Sequence, residues 1–462
     1  LSKQVVTVNP ATDEVIESFD AQGWDEISSL MDAAVQAQAN WRKSSLEDRA
    51  NKLRNLAQIL RDEVDAHATL ISREMGKSIT EARAEVLKCA LCCDFYADNL
   101  ANYLAPKPIK TEAVNSFVSY EPLGVVFAVM PWNFPYWQVI RFAAPTLAAG
   151  NGGILKHASN VTGSAIAIQH AIEKAGFPKH LFTSLVVADH SMVGKIVEDP
   201  RIAAVTLTGS EKAGASVAEA AGRALKKTVL ELGGSDPFVI LEDADSAAIA
   251  PFAVKARFIN TGQSCLCAKR FIVADNLIED FEGRIKALVE ALKIGDPLDP
   301  STQIGPLAKK AFVDDIDKQV QDSIKMGARL VTGGYRIEGP GNYYAPTILA
   351  DVTPDMPVFS QETFGPVLAL VGANSSEQAI KLANTTQYGL AASIWTKDPS
   401  VGLKLGSGIA SGALFVNGVV ASDPRLPFGG VKLSGYGREL SIEGLHEFMN
   451  VRAVWIGEMP TV

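Results

Sequence analysis

The stretch Asn260-Thr261-Gly262-Gln263-Ser264-Cys265-Leu266-Cys267 sets a cysteine in a short polar turn between two apolar segments. A thiol is a strong nucleophile only as a thiolate, and a glycine in the turn lets backbone N–H groups come close to a reacting centre. Cys265 is therefore the candidate nucleophile. Taken alone, the same turn also suits an inert thiol, because free cysteine is among the most buried residue types. Cys267 is either a small packing residue or a redox partner for Cys265. In an extended chain residues i and i+2 lie near the outer limit for a disulfide, so closing one requires the turn to bend.

A chain of 462 residues, 47% hydrophobic and 21% charged, has the length for two or three packed domains with a cleft between them. A net charge of −9 opposes binding to nucleic acid or to an anionic membrane surface, and no basic run or apolar span is present. The five cysteines, Cys89, Cys92, Cys93, Cys265 and Cys267, make an odd set that suits a reducing cytoplasm. Cys89, Cys92 and Cys93 repeat at helical spacing and read as packing residues, so no metal is expected.

Residues 1–120 read as helix-rich, with Ser44-Ser45-Leu46-Glu47 as a capping box ahead of a stripe of Leu53, Leu56, Leu60 and Val64. From Gly124 the pattern alternates, with strands expected at Val125–Met130, Gly153–Leu155, Leu185–Val187, Ala203–Leu207 and Thr228–Leu230, as in βαβ units. A second alternating region has strands expected at Phe271–Val273, Val367–Val371, Ala391–Trp395 and Ala413–Val416, with helices near 276–292 and 376–384. The terminal Val451–Ile456 is too apolar and β-branched to stand in water, so it is expected to pair, with a partner subunit as one option. Gly76-Lys77-Ser78 resembles the end of a phosphate loop, but Ile71 stands at the required upstream glycine. No Gly-x-Gly-x-x-Gly follows any strand candidate.

Pro131-Trp132-Asn133-Phe134-Pro135, Leu155-Lys156-His157-Ala158-Ser159, Thr208-Gly209-Ser210, Glu231-Leu232-Gly233-Gly234, Asn260–Cys265, Glu362-Thr363-Phe364-Gly365-Pro366 and Pro427-Phe428-Gly429-Gly430 occur in this order and spacing. With them the chain resembles the aldehyde dehydrogenase superfamily essentially throughout. The resemblance implies an α/β fold with a Rossmann-type nucleotide-binding lobe (1–100 and 123–230), an α/β catalytic lobe (231–435), and a small oligomerisation element with a C-terminal strand (101–122 and 436–462). It also implies a homodimer or homotetramer.

Oxidising an aldehyde with a nicotinamide needs a tetrahedral centre that can expel hydride, which a Cys265 thiolate supplies. By resemblance Asn133 joins the Cys265 N–H as an oxyanion hole; as a bare residue it also suits a turn. Glu231 closes an apolar strand, where burial raises its pKa toward that of a useful base; a cap or an ion pair is the structural alternative. The resemblance puts the cofactor, NAD or NADP, against Trp132, Lys156, Ser159, Thr208, Gly209, Ser210, Leu232, Glu362 and Phe364. Strictly NAD-dependent relatives usually carry a glutamate at the position of Ser159 and a proline at that of His157. Serine removes the repulsion of a 2′-phosphate and leaves Lys156 free to pair with it.

Arg141, eight residues after Asn133, looks like the carboxylate-binding arginine of succinate semialdehyde dehydrogenases, with Ser422 as a second contact; a surface arginine or an internal ion pair is the alternative. Some of those relatives place another arginine where this chain has Ile259, and Arg257 is no substitute. The expected reaction is irreversible oxidation of succinate semialdehyde to succinate. The other readings are a broad-specificity aldehyde dehydrogenase and, with the same Cys265, Asn133 and Glu231, a cysteine-dependent ester or thioester hydrolase.

Overall fold

Parallel strands organise both lobes of the computed structural model, which describes residues 3–459. The expectations for 1–100 and 436–462 also cover residues 1, 2 and 460–462, which lie outside the described residues. One sheet runs, in spatial order, Phe182–Leu185, Gly152–His157, Val125–Met130, Ile202–Thr208 and Lys227–Glu231, all parallel. Gly435–Tyr436 adds a short antiparallel edge against Glu231 and Leu230. The chain thus returns to the first sheet at the end of the span expected for the catalytic lobe. The inner strands are buried on both faces, which is why they read as unbroken apolar runs.

The second sheet runs Arg329–Thr332, Thr347–Ala350, Val367–Ala373, Ala268–Ala274, Asp236–Ile240, Ala391–Trp395 and Ala413–Val416, antiparallel only at its first pair. Met449–Ile456 pairs antiparallel with Asn115–Pro122 of the same chain, so the terminal apolar strand finds its partner without a second subunit. In parallel α/β sheets ligands bind beyond the carboxyl ends of the strands. Met130, His157, Thr208 and Glu231 are those ends, and the residues expected to do chemistry follow them closely.

Three local expectations are corrected. The helix Leu46–Asp62 is capped by Ser45, which accepts from Asp48 N, so the cap lies one residue later than expected. Val64 is not on the stripe of Leu53, Leu56 and Leu60: the chain breaks at Glu63 and Val64 opens the next helix. Each of those leucines, fully buried, contributes about 1.5–3 kcal/mol. The strand expected at Leu185–Val187 is Phe182–Leu185, because Val186 instead exchanges hydrogen bonds with Gln22. Cys89, Cys92 and Cys93 are fully buried in the same core as the leucines. Gly76-Lys77-Ser78 is a helix-to-helix turn, in which Gly76 takes φ 82° and Lys77 pairs with buried Glu85.

The helix Ser246–Phe258 runs into Asn260, Thr261 and Gly262, which take φ of 53°, 54° and 73°. A Cβ on Gly262 would overlap the Gly365 carbonyl oxygen. Gly262→Ala is therefore expected to cost about 2 kcal/mol or more, read as a lower denaturant midpoint. An unshifted midpoint would contradict this packing.

Candidate active site

The left-handed turn Asn260–Gly262 is held from several sides. Glu81 accepts Asn260 N–H at 2.9 and 3.1 Å, and Thr261 Oγ1 accepts Gly305 N–H at 3.1 Å. Asn260 Nδ2 donates to Asn133 O at 2.8 Å and to Gln263 O at 3.0 Å. Buried Lys269 donates to the carbonyls of Ser264 and Cys265, each at 2.9 Å, and lies 3.4 Å from Glu362. These contacts fix the backbone on both sides of Cys265.

Asn133 Nδ2 donates to Gln263 O at 3.1 Å, which uses one of its two amide hydrogens. The Cys265 N–H has no backbone acceptor among the described residues. A second Asn133 amide hydrogen and this N–H thus both have no protein acceptor among the described residues. The Asn133 turn is itself anchored by His157, whose Nδ1 accepts from Ala158 N at 3.1 Å. That leaves its Nε2–H to donate to Pro135 O at 2.9 Å, and burial holds the ring pKa down at about 4, keeping it neutral.

Cys265 opens into a cavity of about 400 Å³ whose wall includes Arg141, Ser422, Lys88, Trp137 and Phe134. Burial pushes the Cys265 thiol up to about 12, against the opposing charge of Lys269. The expected substrate residues Arg141 and Ser422 are both on this wall. Arg141 is also committed elsewhere: it pairs with buried Glu439, donates to Thr208 Oγ1 at 3.4 Å and lies 4.7 Å from the centre of the Phe428 ring. Removing one member of such a buried pair typically costs about 3–5 kcal/mol. Ile259 lines the cavity, while Arg257 turns away to the carbonyls of Thr363, Gly365 and Val367.

Glu231 does not line that cavity. Its carboxyl is buried beside Gly429, where a Cβ would stand 2.9 Å from Glu231 Oε1. Burial, then the neighbouring Glu439, raises its pKa well above the usual carboxylate range, while Arg141 and Arg438 oppose the rise. Cys267 is also off the cavity. Its Sγ lies 3.6 Å from Ile259 O, and both it and Cys265 are free thiols.

The expected cofactor residues lie at the strand ends. Lys156 is buried near the end of its strand, and Ser159 begins the turn that follows. Ser210 caps the helix Glu211–Arg223, and Leu232 packs on Gly214 of that helix, where a Cβ would meet Leu232 at 2.6 Å. Gly209 N–H is held by Glu231 O at 3.0 Å, directly after Thr208. Trp132 meets Phe364 edge-on at 5.7 Å, and Glu362 accepts Gly234 N–H at 3.0 Å. A Cβ on Gly233 would stand 2.6 Å from Glu211 Oε1 and 2.8 Å from Glu362 Oε2, so glycine lets the backbone pass close to two carboxylates. Among the described residues no group of three or more His, Cys, Asp or Glu could hold a metal ion.

Lys88, Lys269 and Glu439 were not singled out from the sequence. Two adjacent cations, Lys269 and Arg270, in the apolar strand Ala268–Ala274 were a readable signal, since such residues are seldom buried without partners. Nothing local marks Lys88 or Glu439.

Residues 1–454 match the model of the aldehyde dehydrogenase family. The chain is 50% identical to a probable succinate-semialdehyde dehydrogenase (NADP+) of Synechocystis sp., over 98% of this chain and 99% of that protein. It is 46% identical to the succinate semialdehyde dehydrogenase (NAD(P)+) of Escherichia coli, over 97% of each. The crystal structure of succinic semialdehyde dehydrogenase from Streptococcus pyogenes in complex with NADP+ superposes with a TM-score of 0.96 at 39% identity, covering 98% of this chain and 100% of that one. The turn that carries Cys265, the strand-end residues around it and these full-length matches agree: the chain belongs to the aldehyde dehydrogenase family.

Proposed function

We propose that this enzyme oxidises succinate semialdehyde to succinate with NADP or NAD. The observation that carries the substrate is the charge of the Cys265 cavity. Arg141, Lys88 and Lys255 all line it, while its acids Glu81 and Glu85 are engaged by Asn260 N–H and by Lys77. A four-carbon aldehyde with a terminal carboxylate complements that wall, and the curated relatives named for this substrate agree with it.

Cys265 attacks the aldehyde carbon once its thiol loses the proton, and the new oxyanion is received by the spare Asn133 amide hydrogen and the Cys265 N–H. A buried Lys156 with no ion pair among the described residues fits a phosphorylated dinucleotide, for which Lys156 and Ser159 would meet the adenosine ribose, Gly209 and Ser210 the pyrophosphate, and Glu362 the other ribose. Trp132, Thr208, Leu232 and Phe364 would enclose it. A bound nicotinamide supplies the hydride acceptor. The thioester left on Cys265 is then hydrolysed by water that gives its proton to Glu231.

Four initial rates test the assignment: succinate semialdehyde and butanal, each with NAD and NADP. A clear preference for the carboxylated aldehyde is expected. Equal rates would sink the substrate reading, and no reduction of either cofactor would favour hydrolase chemistry. Ser159→Glu is expected to lower the NADP/NAD ratio of kcat/KM at least about tenfold by placing a carboxylate against the 2′-phosphate; an unchanged ratio contradicts the site.

The pH dependence follows from Glu231. The base works deprotonated, and its pKa is raised, so kcat rises with pH beyond the usual carboxylate range. Glu439→Gln removes a like charge and frees Arg141, both of which favour the Glu231 anion. The rising limb of the kcat profile is therefore expected to move to lower pH, and Glu231→Gln is expected to abolish it. A limb that stays in place in the Glu439→Gln enzyme would disprove the coupling.

A further inference from the structure

Two cations stand side by side in the apolar strand Ala268–Ala274, and the alternation of a strand sends them to opposite faces. Both are fully buried. Arg270 is spent on carbonyls outside the nucleophile's turn: it donates to Ser235 O at 2.6 and 2.9 Å, to Leu382 O at 2.9 Å and to Ala383 O at 3.0 Å. Lys269 serves that turn. Its Nζ donates to Ser264 O and Cys265 O, each at 2.9 Å, and to Cys267 O at 3.4 Å. Among the described residues the only carboxylate within ion-pair distance of it is Glu362, at 3.4 Å.

This cage of carbonyls both orients the turn and charges it. A trans peptide sets its N–H opposite its C=O, so the Ser264 carbonyl held by Lys269 leaves the Cys265 N–H pointing away from the ammonium. A buried cation beside a thiol favours the thiolate, and a carboxylate that draws on the same cation works against it. We infer that Lys269 is a positioning residue for the nucleophile: it holds the peptide that carries the Cys265 N–H, and its charge, divided between Glu362 and the sulfur, sets how readily the thiolate forms. This deepens the reading of Cys265 as the nucleophile and rests on it.

The charges that face the thiol come from four elements. Burial pushes Cys265 up to about 12; Lys269 and then Arg141 draw it down, while Glu362 and Asp236 add to the rise. Asp236 accepts Ala391 N–H at 3.0 Å through Oδ1, its Oδ2 has no hydrogen-bond partner among the described residues, and burial raises it to about 7 against the pull of Lys269. Glu362 is likewise raised by burial, and Lys269 leads the groups that oppose the rise. Losing the Glu362 charge thus leaves the ammonium to the sulfur. Losing the ammonium leaves the thiol facing two acids, with Arg141 to offset them.

The test is the rate at which iodoacetamide alkylates Cys265 in the full-length enzyme without added nucleotide, at about pH 8, with the label located by fragmenting the peptide that carries Cys265. Lys269→Met and Lys269→Gln are each expected to slow alkylation roughly tenfold or more, and Glu362→Gln to speed it several-fold. Opposite effects of removing the cation and removing the acid are the mark of charge, which a change in packing alone does not produce. Glutamine keeps an N–H donor for the carbonyls but no charge, so a Lys269→Gln enzyme that labels like the parent overturns the inference. An unaltered rate in Glu362→Gln overturns it as well, and this partly exposed position decides the matter where the Lys269 variants do not fold. Dehydrogenase activity that survives complete labelling of Cys265 in the parent overturns the nucleophile itself, and the role of Lys269 with it.

Discussion

Three successive residues in the left-handed region, Asn260, Thr261 and Gly262, are the constraint on which the active site depends. Such a conformation is costly for a β-branched residue such as Thr261 and persists only where the surroundings over-determine it. Here they do. Glu81 holds the amide of Asn260, Gly305 holds Thr261, and Gly262 fits under the Gly365 carbonyl only because it lacks a Cβ. The turn therefore brings the Asn133 loop, the Gly305 segment and the Glu362–Pro366 loop to one place, with Cys265 at their meeting point.

Burial sets the resting state of the chemistry placed there. Cys265 and Glu231 are both held toward their protonated forms, the first opposed by Lys269 and the second by Arg141 and Arg438. The same Arg141 that moderates Glu231 neutralises Glu439 and borders the substrate cavity. The charge of one guanidinium thus reaches both the cavity and the Glu231 carboxyl.

Much of this could be read from the chain. Ala391–Trp395 and Ala413–Val416 emerge as strands with the expected bounds because apolar runs flanked by turn residues leave little choice. Asp236–Ile240 escaped notice because it begins with an acid and contains Pro237, both disfavoured in a strand interior, and its register shifts at that point. The motif segments fall on residues that the fold gathers near the Cys265 turn: Asn133 donates to Gln263 O, and Arg141 shares the cavity wall with Cys265. They could not reveal that Glu439 claims Arg141 or that Lys88 reaches Ser422, since both contacts join residues hundreds of positions apart and no local pattern encodes them. Arg141 accordingly combined two readings, cavity wall and internal ion pair, that the sequence had set as alternatives.

The most direct test of the whole account is the covalent intermediate. Glu231→Gln enzyme mixed with succinate semialdehyde and NADP, quenched in acid within one turnover, is digested and its peptides weighed. The account predicts a succinyl increment on the peptide carrying Cys265, absent when Cys265 is replaced by alanine. An enzyme that reduces cofactor with no such adduct, or that carries it on Cys267, would contradict the assignment of the nucleophile.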